Sequence, residues 1–557
     1  MSKYAPIDWA PDEKPMMPGS PSTPNHPTWL RICYLLVGIL VSLTGGLGNA
    51  LVSVNLIALQ GSLAAYATET AWLPAAYVMT NVSVNLLLVK FRQQFGLRLF
   101  TEFFLVVYAL VTFAHLFVHD LYSAIAVRAA HGMVGAALST LGLYYILQAF
   151  PKVIRLRGLV IAVGVSQLAL PMAYIFSTEL LEFAEWRGLY LFELGLTMVA
   201  LGCVLLLKLP PGDRFKAFEK MDFLTFALFA PGMALLCAAL TFGRLLWWFE
   251  TPWIGWALAA SIPLLAAAIC IEHNRVRPLL NTRWLASADI VRLVLSMILI
   301  RVVLSEQGTG AVGFLRAVGL NNDQMQTLFV IVLAATIAGI MLSAATLSID
   351  HLTAPVVIAL LLMAAGAFLD SRASSLTRPE QMYFSQALLA FGGAFFIGPS
   401  LIAMIGGVIA NPANIISFSV IFGLSQNVGG LIGSAVLGTF QVAREKFHSS
   451  MLVEHLSALD PLVAARIQSG AAAYARLLPD PAARTGRSLA SLSASATREA
   501  NVLAYNDVFL LICVIALATA TWIFLHAAWL HFRTPAPLAA PGAASATSAT
   551  TPETVTD

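Results

Sequence analysis

The sequence predicts an all-α integral membrane protein with about fourteen transmembrane helices. Three observations lead to this fold class. Hydrophobic residues make up 59% of the 557 residues and charged residues only 11%, and the mean hydropathy is +0.80. The apolar residues are gathered in runs of about 20, the length that an α-helix needs to cross a bilayer. These runs are continuous and do not alternate with polar residues, unlike the strands of a membrane β-barrel.

The composition excludes several classes of protein. Soluble globular domains contain about 25% charged residues, and this chain has too few to cover several such domains. The net charge of +3 is too small to indicate a nucleic-acid partner. The five cysteines lie in apolar stretches without CxxC spacing. We therefore predict no enzyme of the soluble type, no disulfide framework, no metal site and no cofactor.

The apolar runs predict the spans in chain order. Residues 1–29 precede them, are polar and proline-rich, and are expected to be disordered. The tail, residues 534–557, is rich in Ala, Pro, Ser and Thr and is expected to be disordered as well. The predicted spans are 32–59, 70–89, 97–118, 121–150, 158–177, 188–207, 223–242, 253–271, 290–315, 328–347, 354–369, 384–408, 415–440 and 508–530.

The basic residues predict the orientation of the chain. Lys and Arg are concentrated in the loops that follow the second, fourth, sixth and eighth spans. The positive-inside rule places these loops in the cytoplasm, and an even number of spans then places both termini there. We therefore expect a multi-pass protein of the cell inner membrane. A segment of more than sixty residues, 441–507, then lies outside, as a solvated connector or as a docking surface for a periplasmic partner.

Ionisable residues within the spans are candidates for function, because they are costly in lipid. Arg128 and His131 are three residues apart on one face of the fourth span. Arg128 stays charged when buried, so it must meet a carboxylate or carbonyl oxygens. His131 is either a proton carrier or a neutral, packed side chain.

Three further candidates lie deeper along the chain. Glu193 falls in the sixth span, and Arg301 and Glu306 fall in the ninth. A carboxylate that alternates between water and a closed cavity would take up and release a proton, which is the basis of proton coupling. Structural ion pairing is the alternative. Arg301 and Glu306 are five residues apart, a poor spacing for a pair, so each is expected to find its partner on another helix.

Several short stretches follow one another in an order known from a transporter family. They are Trp72 with Tyr77, Gly96-Leu97-Arg98, Arg128 with Gly132, Pro171, 278–283, and Gly429-Gly430. In this order they resemble motifs of the fourteen-span drug:proton antiporters of the major facilitator superfamily, the EmrB/QacA type. The resemblance extends from about residue 32 to residue 530.

The resemblance implies the fold of that superfamily. Two six-helix bundles, 30–209 and 278–533, would enclose a central cavity, and residues 210–277 would supply a cytoplasmic linker and two extra helices. Arg128 would take part in proton transfer. Gating or packing roles would fall to Gly96, Arg98, Gly132, Pro171, Gly429 and Gly430.

The chain also departs from the family pattern. No acid stands near Gly48-Asn49, and Gln93 occupies the place of the gating aspartate. Glu193, Glu306 and His131 are then the remaining candidates for carrying protons. We expect Arg128, together with Glu193 or Glu306, to face the central cavity.

By resemblance, the chain would be an efflux transporter of the multidrug-resistance type. It would export small amphipathic organic compounds or drugs in exchange for protons. Its partners would be the substrate, the proton, the bilayer, a periplasmic membrane-fusion adaptor and an outer-membrane channel. One alternative is the export of a specific organic acid, because arginines are retained while acids are missing. Two others are an intramembrane enzyme built on His115, His119 and Asp120, and a sensor that does not transport.

Overall fold

The computed structural model describes residues 9, 13–15, 19–276, 278–348, 351–410, 414–457 and 459–533, and all regular structure in these ranges is helical. The long and medium helices follow the apolar runs. They are α1 Thr28–Val54, α2 Trp72–Phe95, α3 Leu97–Ala114, α4 Leu121–Ala149, α5 Arg155–Val165, α6 Ala169–Leu206, α7 Lys220–Phe242, α8 Pro252–His273, α9 Ala288–Leu304, α10 Val312–Ala317, α11 Gln326–Ala345, α12 Thr353–Asp370, α13 Tyr383–Ala410, α14 Ile415–Glu454, α15 Pro461–Ala473 and α16 Pro481–Arg533.

Short helical segments connect them. Three are α-helical, Leu56–Ser62, Ala67–Thr70 and Thr282–Leu285. One is a π-helical turn, Glu306–Ala311, between α9 and α10. The remainder are 3₁₀ turns, His115–Phe117, Lys152–Ile154, Ser166–Leu168, Asp323–Met325 and Pro379–Met382.

Twelve helical stretches in the described ranges are long and apolar enough to cross a membrane. The predicted number of fourteen spans is therefore not confirmed. One of the twelve, Lys152–Leu206, contains non-helical backbone at Ala184 and Glu185, where two predicted spans meet. The predicted ninth span is absent from the twelve, because the π turn divides it into α9 and α10.

The helices pack in two groups. In the first, which we call the N-bundle, α1 packs on α4 and α6, α2 on α4, and α3 on α6. In the second, the C-bundle, α11 and α12 pack on α13, while α9 and α14 pack around α16. Helices α7 and α8 pack on each other, and α7 also contacts α2. This is the arrangement of two bundles and two additional helices that the sequence predicts.

A buried cluster of charges fixes α7 and α8 to the N-bundle. Asp222, which opens α7, lies 2.7 Å from Lys90 Nζ of α2 and 2.8 Å from Arg275 Nη2. Arg275 also reaches Glu272 and Glu219, at 2.7 and 2.8 Å. Burial opposes the charged form of Arg275, but its three carboxylate partners hold its pKa above the usual range.

The segment 441–507, which the basic residues predict to lie outside, is mostly helical in its described part. Helix α14 continues to Glu454, α15 packs on α16, and α16 begins at Pro481. The stretch after Pro479 contains Pro and several Ser residues, which do not favour a helix interior. It forms a helix instead because Asp480 accepts from the N–H groups of Ala482 and Ala483, while Pro481 takes the first helical position.

The N-terminal segment 19–27 does not match its expected disorder. Ser20 and Ser22 are buried, and the Ser22 carbonyl accepts a hydrogen bond from Gln148 Nε2 at 3.0 Å. Ser22 N–H in turn donates to the Pro211 carbonyl at 2.9 Å. The polar composition indicated that this segment would not pack against the bundle. Hydrogen bonds of its backbone groups nevertheless fix it there. The tail 534–557 lies outside the described residues.

Candidate functional site

A cavity of about 470 Å³ lies between the two bundles. It extends from the middle of the helices to the end that carries Gln148, Arg155 and the N-terminal segment. We call this the basic end, because the Lys- and Arg-rich loops are there. Its polar lining includes Ser42, Asn81, Asn85, Gln426 and Asn427 from both bundles, with aromatic and aliphatic side chains between them. Such a lining suits a ligand with both apolar and polar parts.

The charges on the cavity wall are of one sign. Arg92 of α2, Arg155 of α5 and Arg301 of α9 line it, and no carboxylate does among the described residues. The Nε atoms of Arg92 and Arg155 are buried without a hydrogen-bond partner. Arg92 stacks over the Tyr144 ring at 4.7 Å. Three guanidinium groups without a carboxylate partner leave the cavity positively charged.

The opposite end of the bundles, which we call the outer end, is closed. Arg316 Nη2 donates to the Val54 carbonyl at 3.1 Å, and Asn322 Nδ2 donates to the same carbonyl at 3.2 Å. The rings of Tyr174 and Phe329 stack across the bundles with centroids 3.8 Å apart. A shared apolar core surrounds these contacts. The cavity therefore communicates with one side only.

Arg128 and His131 of α4 meet Glu193 of α6 inside the N-bundle. All three are essentially without exposure. Arg128 donates through Nη1 to the Gly48 carbonyl and through Nη2 to Asn49 Oδ1, each at 2.9 Å. His131 Nε2 lies 2.8 Å from Glu193 Oε1, which also accepts from Tyr108 at 2.6 Å. We call Arg128, His131, Glu193 and Tyr108 the N-cluster.

The contact with Arg128 determines which ring nitrogen of His131 carries the proton. Arg128 Nη1 lies 3.1 Å from His131 Nδ1. A guanidinium only donates, so Nδ1 must accept and the ring proton sits on Nε2, which faces Glu193. A second proton on His131 would set two N–H groups against each other. Protonation of His131 and its contact with Arg128 therefore exclude each other.

A second set of buried carboxyl groups lies in the C-bundle. Gln386 Nε2 donates to Glu306 Oε1 at 2.9 Å and to Asp370 Oδ2 at 2.8 Å. The Ser385 hydroxyl donates to the other oxygen of Asp370. Glu306 Oε2 is buried and has no hydrogen-bond partner. We call Glu306, Asp370 and Gln386 the C-cluster.

The expectation that Arg128, with Glu193 or Glu306, faces the cavity is wrong for this conformation. None of the three lines it, and neither does His131. Arg128 turns toward α1 and finds a carbonyl and an amide there, while both glutamates find donors on neighbouring helices of their own bundle. Of the predicted residues with charge, Arg301 alone reaches the cavity among the described lining.

The predicted gating and packing residues fall into two kinds. Gly96 joins α2 to α3 with a φ of 87°, and a side chain there would strike Arg214. Gly132 packs on the Tyr77 backbone, and Gly429 packs on Arg301. The others have simpler surroundings: Pro171 is buried at the start of α6, Gly430 has open space, and Arg98 is an exposed partner of Glu102.

Sequence reasoning missed Arg92, Arg155, Asp370 and Gln386 as site residues. The two arginines were interpreted only as topology signals, although their positions at helix ends allow them to reach inward. Asp370 ends α12 and was predicted to be a loop residue. No signal in the sequence places it beside Glu306, because the two are separated by two helices.

The three residues of the enzyme alternative, His115, His119 and Asp120, do not meet in one site. His115 is buried, donates through Nδ1 to the Val111 carbonyl, and stacks on Tyr190. Asp120 is exposed and caps α4 through Tyr122 and Ser123, and these hydrogen bonds lower its pKa. His119 is exposed beside it. No group of three ligating side chains occurs in the described ranges.

The sequence over residues 37–434 matches the family model of the Major Facilitator Superfamily. The chain belongs to the Major Facilitator Superfamily. It is thus a transporter and not an enzyme, as the sequence predicts, with a small-molecule substrate. This family model describes the superfamily as a whole, so the narrower EmrB/QacA type stays a prediction. No curated protein gives a significant match to the sequence.

Solved structures of transporters resemble this fold at low sequence identity. The human organic anion transporter MFSD10 (TETRAN) is 12% identical, with a TM-score of 0.52 and coverage of 88% of this chain and 100% of that one. A bacterial homolog of the human lysosomal transporter Spinster is 13% identical, with a TM-score of 0.46 and coverage of 92% and 98%. The proton:xylose symporter XylE is 14% identical, with a TM-score of 0.49 and coverage of 88% and 95%.

Proposed function

We propose that this superfamily member exports small amphipathic organic anions across the inner membrane by alternating access. The observation that carries the proposal is the cavity between the bundles, whose described charges are Arg92, Arg155 and Arg301. Its aliphatic and aromatic walls would hold the apolar part of the substrate. The arginines would hold a carboxylate or another anionic group through charge-assisted hydrogen bonds.

The positive wall supports one of the two substrate hypotheses over the other. A general multidrug exporter of lipophilic cations would desolvate a positive charge beside three guanidinium groups, which is unfavourable. An exporter of organic acids would satisfy the buried Nε atoms that now have no acceptor. The geometry therefore favours the organic-acid alternative over cationic drugs.

The conformation fits one step of such a cycle. The cavity reaches the basic end, and the positive-inside rule assigns that end to the cytoplasm. The outer end is sealed by Arg316, Asn322 and the Tyr174–Phe329 stack. In our proposal this is the inward-facing state, which would load an anion from the cytoplasm, and separation of the outer contacts would release it.

The coupling ion in our proposal is the proton, and the N-cluster links it to movement. Protonation of His131 displaces Arg128 from Nδ1, and Arg128 also holds the α1 backbone at Gly48. A proton that reaches His131, directly or through Glu193, would therefore loosen α1 from α4. The N-cluster would act through helix packing and not by contact with substrate, since it does not line the cavity.

The outer helical arm would bind the adaptor. The far ends of α14 and α16, with α15, expose the apolar side chains Phe447, Met451, Leu462, Leu477 and Leu489. Exposed apolar side chains on a projecting arm are typical of protein contacts. We propose that the periplasmic membrane-fusion adaptor contacts this arm and that the adaptor leads the substrate to an outer-membrane channel.

The anion proposal is tested by binding and transport of a matched pair of amphiphiles. The purified full-length chain in vesicles should bind and move an aromatic carboxylate, but not an aromatic quaternary ammonium of similar size. Arg301→Gln should weaken carboxylate binding about tenfold or more, because one charged hydrogen bond contributes about 1.5–3 kcal/mol. Arg292→Gln, at the exposed start of the same helix, is the control. Preferential transport of the cation would refute the proposal.

The coupling proposal has a separate test. Substrate addition to vesicles should drive proton movement in wild type, and Glu193→Gln should abolish that movement while leaving carboxylate binding intact. Arg128→Ala should abolish export. A Glu193→Gln protein that still moves protons with substrate would exclude the N-cluster as the coupling site.

A further inference from the structure

The C-cluster contains two carboxyl groups that share one amide nitrogen. Because Gln386 Nε2 is within hydrogen-bond distance of both, the bound oxygens of Glu306 and Asp370 lie within about 6 Å of each other. No Lys, Arg or His of the described chain forms an ion pair with either one. All three side chains are nearly without exposure. Two neighbouring carboxylates without a cation cannot both stay ionised in such a site.

The hydrogen bonds distinguish the two acids. Both oxygens of Asp370 accept, one from Ser385 and one from Gln386, as an ionised carboxylate requires. Glu306 accepts only at Oε1, and its buried Oε2 has no partner. A carboxylate oxygen without a donor is costly to bury, whereas a protonated one is much less so. Glu306 Oε2 is therefore the atom that best accommodates a proton.

Among the described residues, no positively charged group faces Glu306. Asp370 is the charged neighbour from α12, and α13 contributes only the neutral Gln386 and Ser385. From α16, the Phe509 ring packs at Gly310, and Tyr505 reaches Gly313 one turn farther on. From α14, Ser434 contacts Thr309. Arg301 lies more than a turn earlier on α9, against Gly429.

We propose that Glu306 and Asp370, bridged by Gln386, form a proton-binding site in the C-bundle that is separate from the N-cluster. The site holds one proton, on Glu306 Oε2, in this conformation. The π turn begins at Glu306, and such turns are frequent at functional sites because their backbone can rearrange. The site rests on the proposed proton coupling, since it would exchange its proton in the same cycle as the N-cluster and only while that cycle turns over.

The geometry of the site suits a bound proton better than a bound metal cation. A calcium ion takes about 6–8 oxygen ligands, and the amide here points its nitrogen, not its oxygen, at the carboxylates. The described chain also has no group of three side chains that could hold a metal ion. A proton needs a single oxygen, and Glu306 Oε2 provides it.

Infrared difference spectroscopy on the full-length chain in lipid nanodiscs tests the proposal. The wild type should show the carbonyl stretch of a buried protonated carboxylic acid at neutral pH, and Glu306→Gln should remove this band. Gln386→Leu should raise its frequency, because the carbonyl Oε1 loses its donor. Glu193→Gln, the matched buried acid of the other bundle, and Asp289→Asn, an exposed acid, should leave the band unchanged.

Three results would overturn the proposal: a band that persists in Glu306→Gln, a band that disappears in Glu193→Gln, or stabilisation by sodium chloride that Glu306→Gln abolishes. If Glu306→Gln does not fold, the frequency shift in Gln386→Leu decides alone. The band reports protonation without transport. A failure of anion export with the band intact would refute the proposed function and leave this site standing.

Discussion

Gly48 lies where the first helix packs tightly against the N-cluster. An added Cβ there would lie 2.3 Å from both Glu193 Oε1 and the Tyr108 hydroxyl, and 2.9 Å from the His131 ring. Glycine lets the α1 backbone come close enough for its carbonyl to accept from Arg128. The sequence motif showed an absent acid at this place, whereas the structure shows that no side chain fits at all.

We predict that Gly48→Ala separates the N-cluster. The added methyl group should displace Glu193 or Tyr108 and lower stability by about 1–3 kcal/mol, the usual cost of overpacking. Substrate-driven proton movement should be lost with it. Thermal unfolding and vesicle transport are the measurements. Gly195→Ala and Gly202→Ala, whose new Cβ atoms would meet nothing within 4 Å, are the controls. Equal behaviour of all three variants would contradict the prediction.

At the scale of elements, buried charge joins helices that apolar packing holds less firmly. Helix α8 has few buried residues, and α7 contacts the N-bundle mainly through α2. Lys90, Asp222 and Arg275 meet at the basic end of these helices. The sequence indicated only that Asp222 opens a span, because its partners come from α2 and from beyond α8.

We predict that Asp222→Asn releases α7 and α8 from α2. Removing one partner from a buried ion pair costs about 3–5 kcal/mol, because the remaining charges stay buried without compensation. Thermal unfolding should start earlier, and disulfide cross-linking between engineered cysteines in α2 and α7 should weaken. Asp289→Asn breaks only an exposed pair with Arg292 and should change stability by less than about 1 kcal/mol. Similar losses in both variants would argue against the cluster.

The N-terminal segment should respond to pH through His26. Its ring lies 3.1 Å from Gln148 and packs on Tyr34, and partial burial lowers its pKa below the ordinary value of 6.5. The docked segment thus favours neutral His26. Docking is fully present above pH 6.5 and is lost as the pH falls through the lowered value. A fluorophore on the segment should report release in acid. His26→Gln should remove that dependence, and a wild type that docks more tightly in acid would contradict it.

At the scale of the whole molecule, the two bundles touch strongly at one end only. A common apolar core joins them at the outer end, and a cavity separates them toward the basic end. Arg316 and Asn322 of the C-bundle both donate to the last turn of α1 at Val54. These polar contacts stand where the bundles must part if access alternates.

We predict that Arg316→Ala shifts the molecule toward an outward-open state. The variant removes a hydrogen bond between the bundles while leaving each bundle's core intact. Spin labels at the outer ends of α1 and α11 should show longer distances in the variant than in wild type. Arg372→Ala is the control, because Arg372 contacts the Phe368 ring within its own bundle. Unchanged distances in Arg316→Ala would mean that the apolar core alone closes this end.

The class of the protein and most of its helices follow from the sequence alone. Hydropathy is a local property, so runs of apolar residues predict spans without knowledge of their neighbours. The requirement that a buried arginine meet oxygen atoms was also foreseeable, and Arg128 satisfies it through Gly48 and Asn49. The helix through residues 481–507 was missed, since its Ser and Pro content hid a capped start.

Which charged residues lie close together depends on the packing of the helices and cannot be read from the sequence. Arg92, Arg155 and Arg301 come from three helices and two bundles, and the gap between the bundles brings them to one cavity. Glu306 and Asp370 meet because α9 and α12 both pack beside α13, which supplies Gln386. Such contacts depend on how distant helices cross and on which end of the two bundles is closed. Neither can be predicted from a local stretch of sequence.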